Sequence, residues 1–186
     1  MKSVIKSSTT VIAAMLLAGT SLLRAQAVPE KYAPLPYTPR GLYGQALVDM
    51  ELAKHPELKI LVLHVTPPGI PAESDKDRGI MFSDIGRIGK PDNDEDIGVF
   101  RSRKENIEAQ LAPGPGVNPW SITSAPKFEV LAILYDRAGT AIGLAGIIFP
   151  YKQGDDTKKL TKIAHEIQED LKSRIESKDK LFDPAS

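Results

Sequence analysis

Phe128-Glu129-Val130-Leu131-Ala132-Ile133-Leu134-Tyr135, the four residues Asp136-Arg137-Ala138-Gly139, and the run from Thr140 to Phe149 together decide the fold. The first and last of these runs are rich in branched apolar residues, so each reads as a strand. Asp136 to Gly139 is the turn between them, and Gly139 supplies the positive φ that such a turn needs. Strands that are apolar on both alternating faces are covered on both sides. The hairpin therefore belongs in the middle of its sheet.

Downstream, Asp155 to Ser177 reads as a helix. Leu160, Ile163, Ala164, Ile167, Leu171 and Ile175 form one stripe at helical spacing. Asp155 and Asp156 stand at its start and Lys178 and Lys180 near its end, as the helix dipole prefers. Upstream, Gly41 to Lys54 reads as a first helix whose buried face is Leu42, Ala46, Met50 and Ala53, with Leu47 beside them. His55-Pro56 ends it. Leu58 to Val65 is a buried strand and Gly79 to Ser83 a short one. Asp92 to Asp96 opens a short helix that runs through Arg101, since carboxylates satisfy the free N–H groups of a helix start. Glu105 to Leu111 reads as a further strand, and the Pro/Gly-rich stretch 112–119 as a loop. The order implies an α+β domain: a central antiparallel sheet of about five strands with helices at its N- and C-terminal ends.

The N-terminus has the three parts of an export signal. Lys2 and Lys6 are the positive start, Thr9 to Leu23 the apolar run, and Ala25-Gln26-Ala27 the small-x-small cleavage pattern. The apolar run is shorter than the ~20 residues that span a bilayer; an uncleaved anchor is the competing reading. The expected organisation is a signal peptide over 1–27, a proline-rich leader over 28–40 and a single domain over 41–182, placed in the periplasm or secreted. The leader carries Pro29, Pro34, Pro36 and Pro39, which favour extended chain.

The 24 basic and 24 acidic residues balance to a formal charge of zero, and cleavage would tip the balance slightly acidic by removing Lys2, Lys6 and Arg24. No nucleic-acid partner is expected from such a surface. The chain has no cysteine, which excludes disulfides, thiolate metal sites and thiol catalysis together.

Two segments resemble a known family. Leu134 to Ile147, an apolar strand, Asp136, a Gly139 turn and then Ile142-Gly143-Leu144-Ala145-Gly146-Ile147, is similar to the closing hairpin of Cache domains, the PAS-like extracytoplasmic sensor modules. Met81-Phe82-Ser83-Asp84, with Ile88-Gly89-Lys90 and Asp96, resembles the segment in which a Cache strand enters its loop and short helix. The chain departs from that pattern in its short first helix, in the loop at 112–119, and in showing neither a second span nor an output domain. The resemblance implies a free-standing single-Cache sensor with a ligand pocket between the sheet and the Ser83-to-Lys90 loop.

In that pocket Arg87 would hold a carboxylate, because its planar fork pairs bidentately. Ser83 would add a hydroxyl contact, and Tyr135 or Tyr151 a polar-tipped aromatic wall. The ligand would be a small polar molecule, a carboxylate among the candidates, and a membrane-bound signalling or transport partner would pass the signal on. A solvated loop charge is the competing reading of Arg87. Gly143, Ala145 and Gly146 leave a strand nearly bare, either for a ligand or for close packing. The alternative function is an envelope protein–protein interaction module without a small ligand.

Catalytic patterns are missing. Gly86-x-x-Gly89-Lys90 lacks the spacing of a phosphate loop, and Pro91 stands where its hydroxyl belongs. The chain contains no Gly-x-Ser-x-Gly elbow and no His-Glu-x-x-His. Among the histidines, His64 reads as a satisfied core residue and His165 as a surface one. Asp92, Asp94 and Asp96 alternate as calcium ligands do, yet Ile97 and Arg103 stand where that loop needs glycine and glutamate. The run reads as a solvated helix start. No catalytic residues, metal or cofactor are expected.

Overall fold

The computed structural model describes residues 39–111 and 126–185. The signal peptide, nearly all of the leader and the loop at 112–119 lie outside the described residues.

The elements in chain order are α1 (Tyr43–Lys54), β1 (Ile60–Val65), β2 (Gly79–Ser83), α2 (Asp94–Ser102), β3 (Asn106–Gln110), β4 (Lys127–Tyr135), β5 (Ala141–Pro150), α3 (Thr157–Arg174) and a 3-10 turn (Asp179–Phe182). The strands form one five-stranded sheet in the order β2-β1-β5-β4-β3, with every neighbouring pair antiparallel. The expected α+β fold is the one observed. Strand β5 lies at the centre, and the β4–β5 turn closes as anticipated. Gly139 adopts φ +85°, and Asp136 accepts the Thr140 N–H at 2.8 Å.

Strand alternation divides the sheet into two faces. On the first, Leu61, Leu63 and Val65 of β1, Phe128, Val130, Ala132 and Leu134 of β4, and Ala145, Ile147 and Phe149 of β5 build the main core. Helix α3 covers it with Ala164, Ile167 and Leu171, followed by Ile175. The second face carries two smaller clusters. Ile60, Val62, Ile80 and Ile148 lie under Ile88 of the β2–α2 loop, while Leu131, Ile133 and Leu144 lie under Val99 and Phe100 of α2.

One sequence expectation is corrected at α1. Its buried residues are Gly44, Gln45, Leu47, Val48 and Glu51, whereas Ala46 and Met50 are half-buried and Ala53 is exposed. The inward face holds the small Gly44 because the Phe82 ring lies against it: a Cβ there would come within 2.6 Å of that ring. Gln45 is inward because its Oε1 accepts the Ser83 N–H at 3.0 Å. No described helix is long and apolar enough to cross a membrane.

Candidate functional site

The gap between the two clusters of the second face is a cavity of about 150 Å³. Val62 and Ile80, Leu131 and Ile148 line its sheet side, and Ile85, Arg87 and Lys90 of the β2–α2 loop line another wall. Asn93, Glu95 and Asp96 come from the start of α2, Lys127 and Glu129 from β4, and His64 from β1. Gly146 pairs with Val62 on one side and Leu131 on the other, so its missing side chain falls between two lining residues. A Cβ there would lie 2.7 Å from Val62 Cγ2.

The loop wall is tied down at both ends. At its start Asp84 Oδ1 accepts the Leu61 N–H at 3.1 Å, and Ser83 Oγ accepts the Ile85 N–H at 3.1 Å. Towards its end Ile80 N donates to the Lys90 carbonyl at 2.9 Å, and Asp92 N to the Arg78 carbonyl at 3.1 Å. Between these anchors Gly86 (φ +72°) and Arg87 (φ +63°) both take left-handed backbone. That conformation is uncommon for a side chain as large as arginine. Helix α2 then starts with a capping box: Asn93 Oδ1 accepts the Asp96 N–H at 3.0 Å, and Asp96 Oδ2 accepts the Asn93 N–H at 2.9 Å.

Behind the cavity stands a buried chain of polar groups. His64 Nδ1 meets Asp92 Oδ1 at 2.8 Å, and Arg78 Nε donates to Asp92 Oδ2 at 2.5 Å. The side chains of Arg78 and Asp92 are fully buried. Arg78 also donates to the Ala72 carbonyl and to Asp75 Oδ1, both at 3.0 Å, and its guanidinium lies 3.8 Å from the centre of the Phe100 ring. An ionised carboxylate only accepts, so the His64 hydrogen facing Asp92 resides on Nδ1. A β-bulge shifts the β1–β2 register between Leu63 and His64; such bulges re-aim side chains locally.

One ring nitrogen of His64 and one oxygen each of Asp92 and Asp96 lie within 4.8 Å of one another. Three such donors have the spacing of a cation site. Arg78 already neutralises Asp92, however, and a cation would have to compete with that guanidinium.

Of the four residues expected in a pocket, Arg87 alone lines this cavity. Ser83 sits at the loop entrance, where its hydroxyl accepts a backbone N–H. Tyr135 shares the correct face but stands four residues beyond Leu131, packed with the cluster under α2. At ~3.3 Å per strand residue that places it about 13 Å along β4. Tyr151 is on the opposite face, with its ring 6.1 Å from that of Phe128. The bare strand β5 serves two purposes. At Gly143 a Cβ would overlap the His64 carbonyl, so β1 closes over that position; only Gly146 adjoins the cavity.

No protein-family model matches this chain, and no curated protein is significantly similar to it.

The acidic run is only partly the solvated helix start read from sequence. Asp94 and Glu95 are exposed, but the Asp92 side chain is fully buried and Asp96 is buried. His165 is the surface residue expected, with its Nε2 2.8 Å from Glu105 Oε2. Sequence reading passed over His64, Asp96, Lys127 and Glu129 as cavity residues. The signal was present in the i, i+2 spacing of Lys127, Glu129 and Leu131, which puts two charges on the same strand face as an apolar residue. A polar pair inside an otherwise apolar strand marks a lined space.

Proposed function

We propose that this chain is an exported, Cache-like sensor domain that binds one small carboxylate in the cavity above Gly146 and passes the signal to a separate membrane-bound partner. The reading includes cleavage of the export signal near Ala27 and a periplasmic or secreted domain that binds its ligand without transforming it. The observation that carries it is the cavity of about 150 Å³ with Arg87, Lys90 and Lys127 on its walls. A 150 Å³ cavity takes a molecule of roughly benzene size, ~six non-hydrogen atoms. Glu95, Asp96 and Glu129 share these walls, but Lys127 pairs with Glu129 and Asp96 accepts the Asn93 N–H, and the Arg87 guanidinium matches a carboxylate in geometry. The left-handed backbone at Arg87 supports the same role, because strained residues gather at ligand clamps.

The interaction module expects a closed sheet face beside Gly143, and β1 does close over that position. The ligand reading rests instead on the cavity lined by Val62 and Leu131, the two partners of Gly146. A thermal-shift screen of short organic acids, amino acids and nucleobases tests it. A true ligand at a hundredfold excess over its Kd adds ~2.7 kcal/mol, a Tm rise of roughly 5–10 °C for a domain of this size. Flat melting temperatures across all short carboxylates would sink the proposal.

A further inference from the structure

We infer that the cavity selects a carboxylate bearing a hydroxyl group, and that the hydroxyl is received by His64 Nε2. This rests on the reading of the cavity as a small-carboxylate site, and it adds which carboxylate fits.

His64 is 5% exposed, and its Nδ1 is committed to Asp92. Asp92 is not part of the cavity wall, whereas His64 is. The edge of the ring that reaches the cavity is therefore the one away from Asp92, which carries Nε2. Among the described residues Nε2 has no hydrogen-bond partner. With the hydrogen held on Nδ1, Nε2 presents a lone pair and accepts. Arg78 balances the charge of Asp92, so the carboxylate does not require a charged imidazolium beside it.

A ligand that fills the cavity removes water from Nε2. A plain alkyl carboxylate would leave that acceptor buried and unpaired, whereas a hydroxyl donor restores its bond; sites built this way discriminate strongly between the two. An ammonium donor fits less well. The nearby carboxylates are engaged, Asp92 by Arg78, Asp96 by the Asn93 N–H and Glu95 by Asn106 Nδ2. Lys127 pairs with Glu129, and an entering ammonium would meet Arg87 and Lys90 on the wall.

Isothermal titration of the purified protein with propionate, lactate and alanine separates these cases, since the three differ only in a hydrogen, a hydroxyl or an ammonium at one carbon. The inference expects lactate to bind at least about tenfold more tightly than either of the others. In His64→Phe, which keeps the ring and removes Nε2, the preference for lactate over propionate should shrink to less than about threefold. Because that variant could misfold by stripping Asp92 of a partner, the 15N resonance of His64 Nε2 in the wild-type protein supplies a second readout. It should move on addition of lactate and stay in place with propionate. Equal affinities, a preference for propionate or alanine, or an unmoved Nε2 signal under saturating lactate would overturn the inference. Should another short acid bind in the wider screen while this set shows no discrimination, the hydroxyl inference falls and the carboxylate site stands.

Discussion

Replacing Glu51 with glutamine should stabilise the protein at alkaline pH and leave it nearly unchanged in mild acid. Glu51 lies on the buried face of α1 and is 0% exposed. Its carboxyl stands beside the Asp170 carboxylate, and His55 Nε2 is 3.5 Å away. Burial, reinforced by the neighbouring Asp170 carboxylate, raises its pKa from 4.5 to about 7, against the pull of Lys54 and Arg174. The folded state therefore holds this proton more tightly than the unfolded chain does. The stability that goes with it is complete below pH 4.5 and is lost as the pH rises to about 7. A displacement of that size corresponds to roughly 3 kcal/mol at pH 8. Asp170, held down to about 2 first by the hydrogen bond that protonated Glu51 gives it and then by Lys54 and Arg174, loses its own contribution only in stronger acid. Glutamine keeps the shape and cannot ionise, so it removes the alkaline loss. Urea denaturation of wild type and Glu51→Gln at pH 5 and pH 8 measures the difference, with any titration common to both chains cancelling. A gain of the same size at both pH values, or a glutamine variant less stable at pH 8, would refute the reasoning.

Gly143→Ala would force a methyl group onto the His64 carbonyl and prise β1 from β5. We expect a loss of at least about 3 kcal/mol, at the upper end of overpacking costs, seen as a collapse of the denaturation midpoint. Arg78→Met strands the fully buried Asp92 carboxylate and should cost ~3–5 kcal/mol; a midpoint shift worth less than about 1 kcal/mol would show that Asp92 has another source of compensation. Asn93→Ala removes the capping box of α2 and should cost about 1 kcal/mol, together with weaker ligand binding, because the same helix start forms a wall of the cavity.

The parts of this fold that were legible in sequence are those set by local pattern. The 128–149 hairpin announced itself through apolar residues on both faces around an Asp-x-x-Gly turn, and α3 through one unbroken stripe. Helix α2 was marked by its acidic start, although the capping residue Asn93 and its partner Asp96 emerged only in the structure. Helix α1 was misread because its inward face carries Gly44, Gln45 and Glu51, whose burial depends on Phe82 and Ser83 of β2 and on α3. The cavity was harder still, since it is assembled from β1, β4, β5, the β2–α2 loop and the start of α2. Arg87 could be picked out because it sits in a glycine-punctuated loop. Tyr151 was misplaced by parity alone: two residues after Phe149, it shares the face that α3 covers. His64 looked like a core residue, and by its Nδ1 bond to Asp92 it is one; its other edge lines the cavity.

The carboxylate site is tested most directly by a 1H–15N titration of the isotope-labelled protein with the tightest acid from the thermal screen. Saturable shifts are expected at one ligand per chain, centred on Arg87, Lys90, Asp96, Leu131 and Gly146. Shifts gathered instead around Phe128 and Tyr151 on the opposite face, or none that saturate, would contradict it.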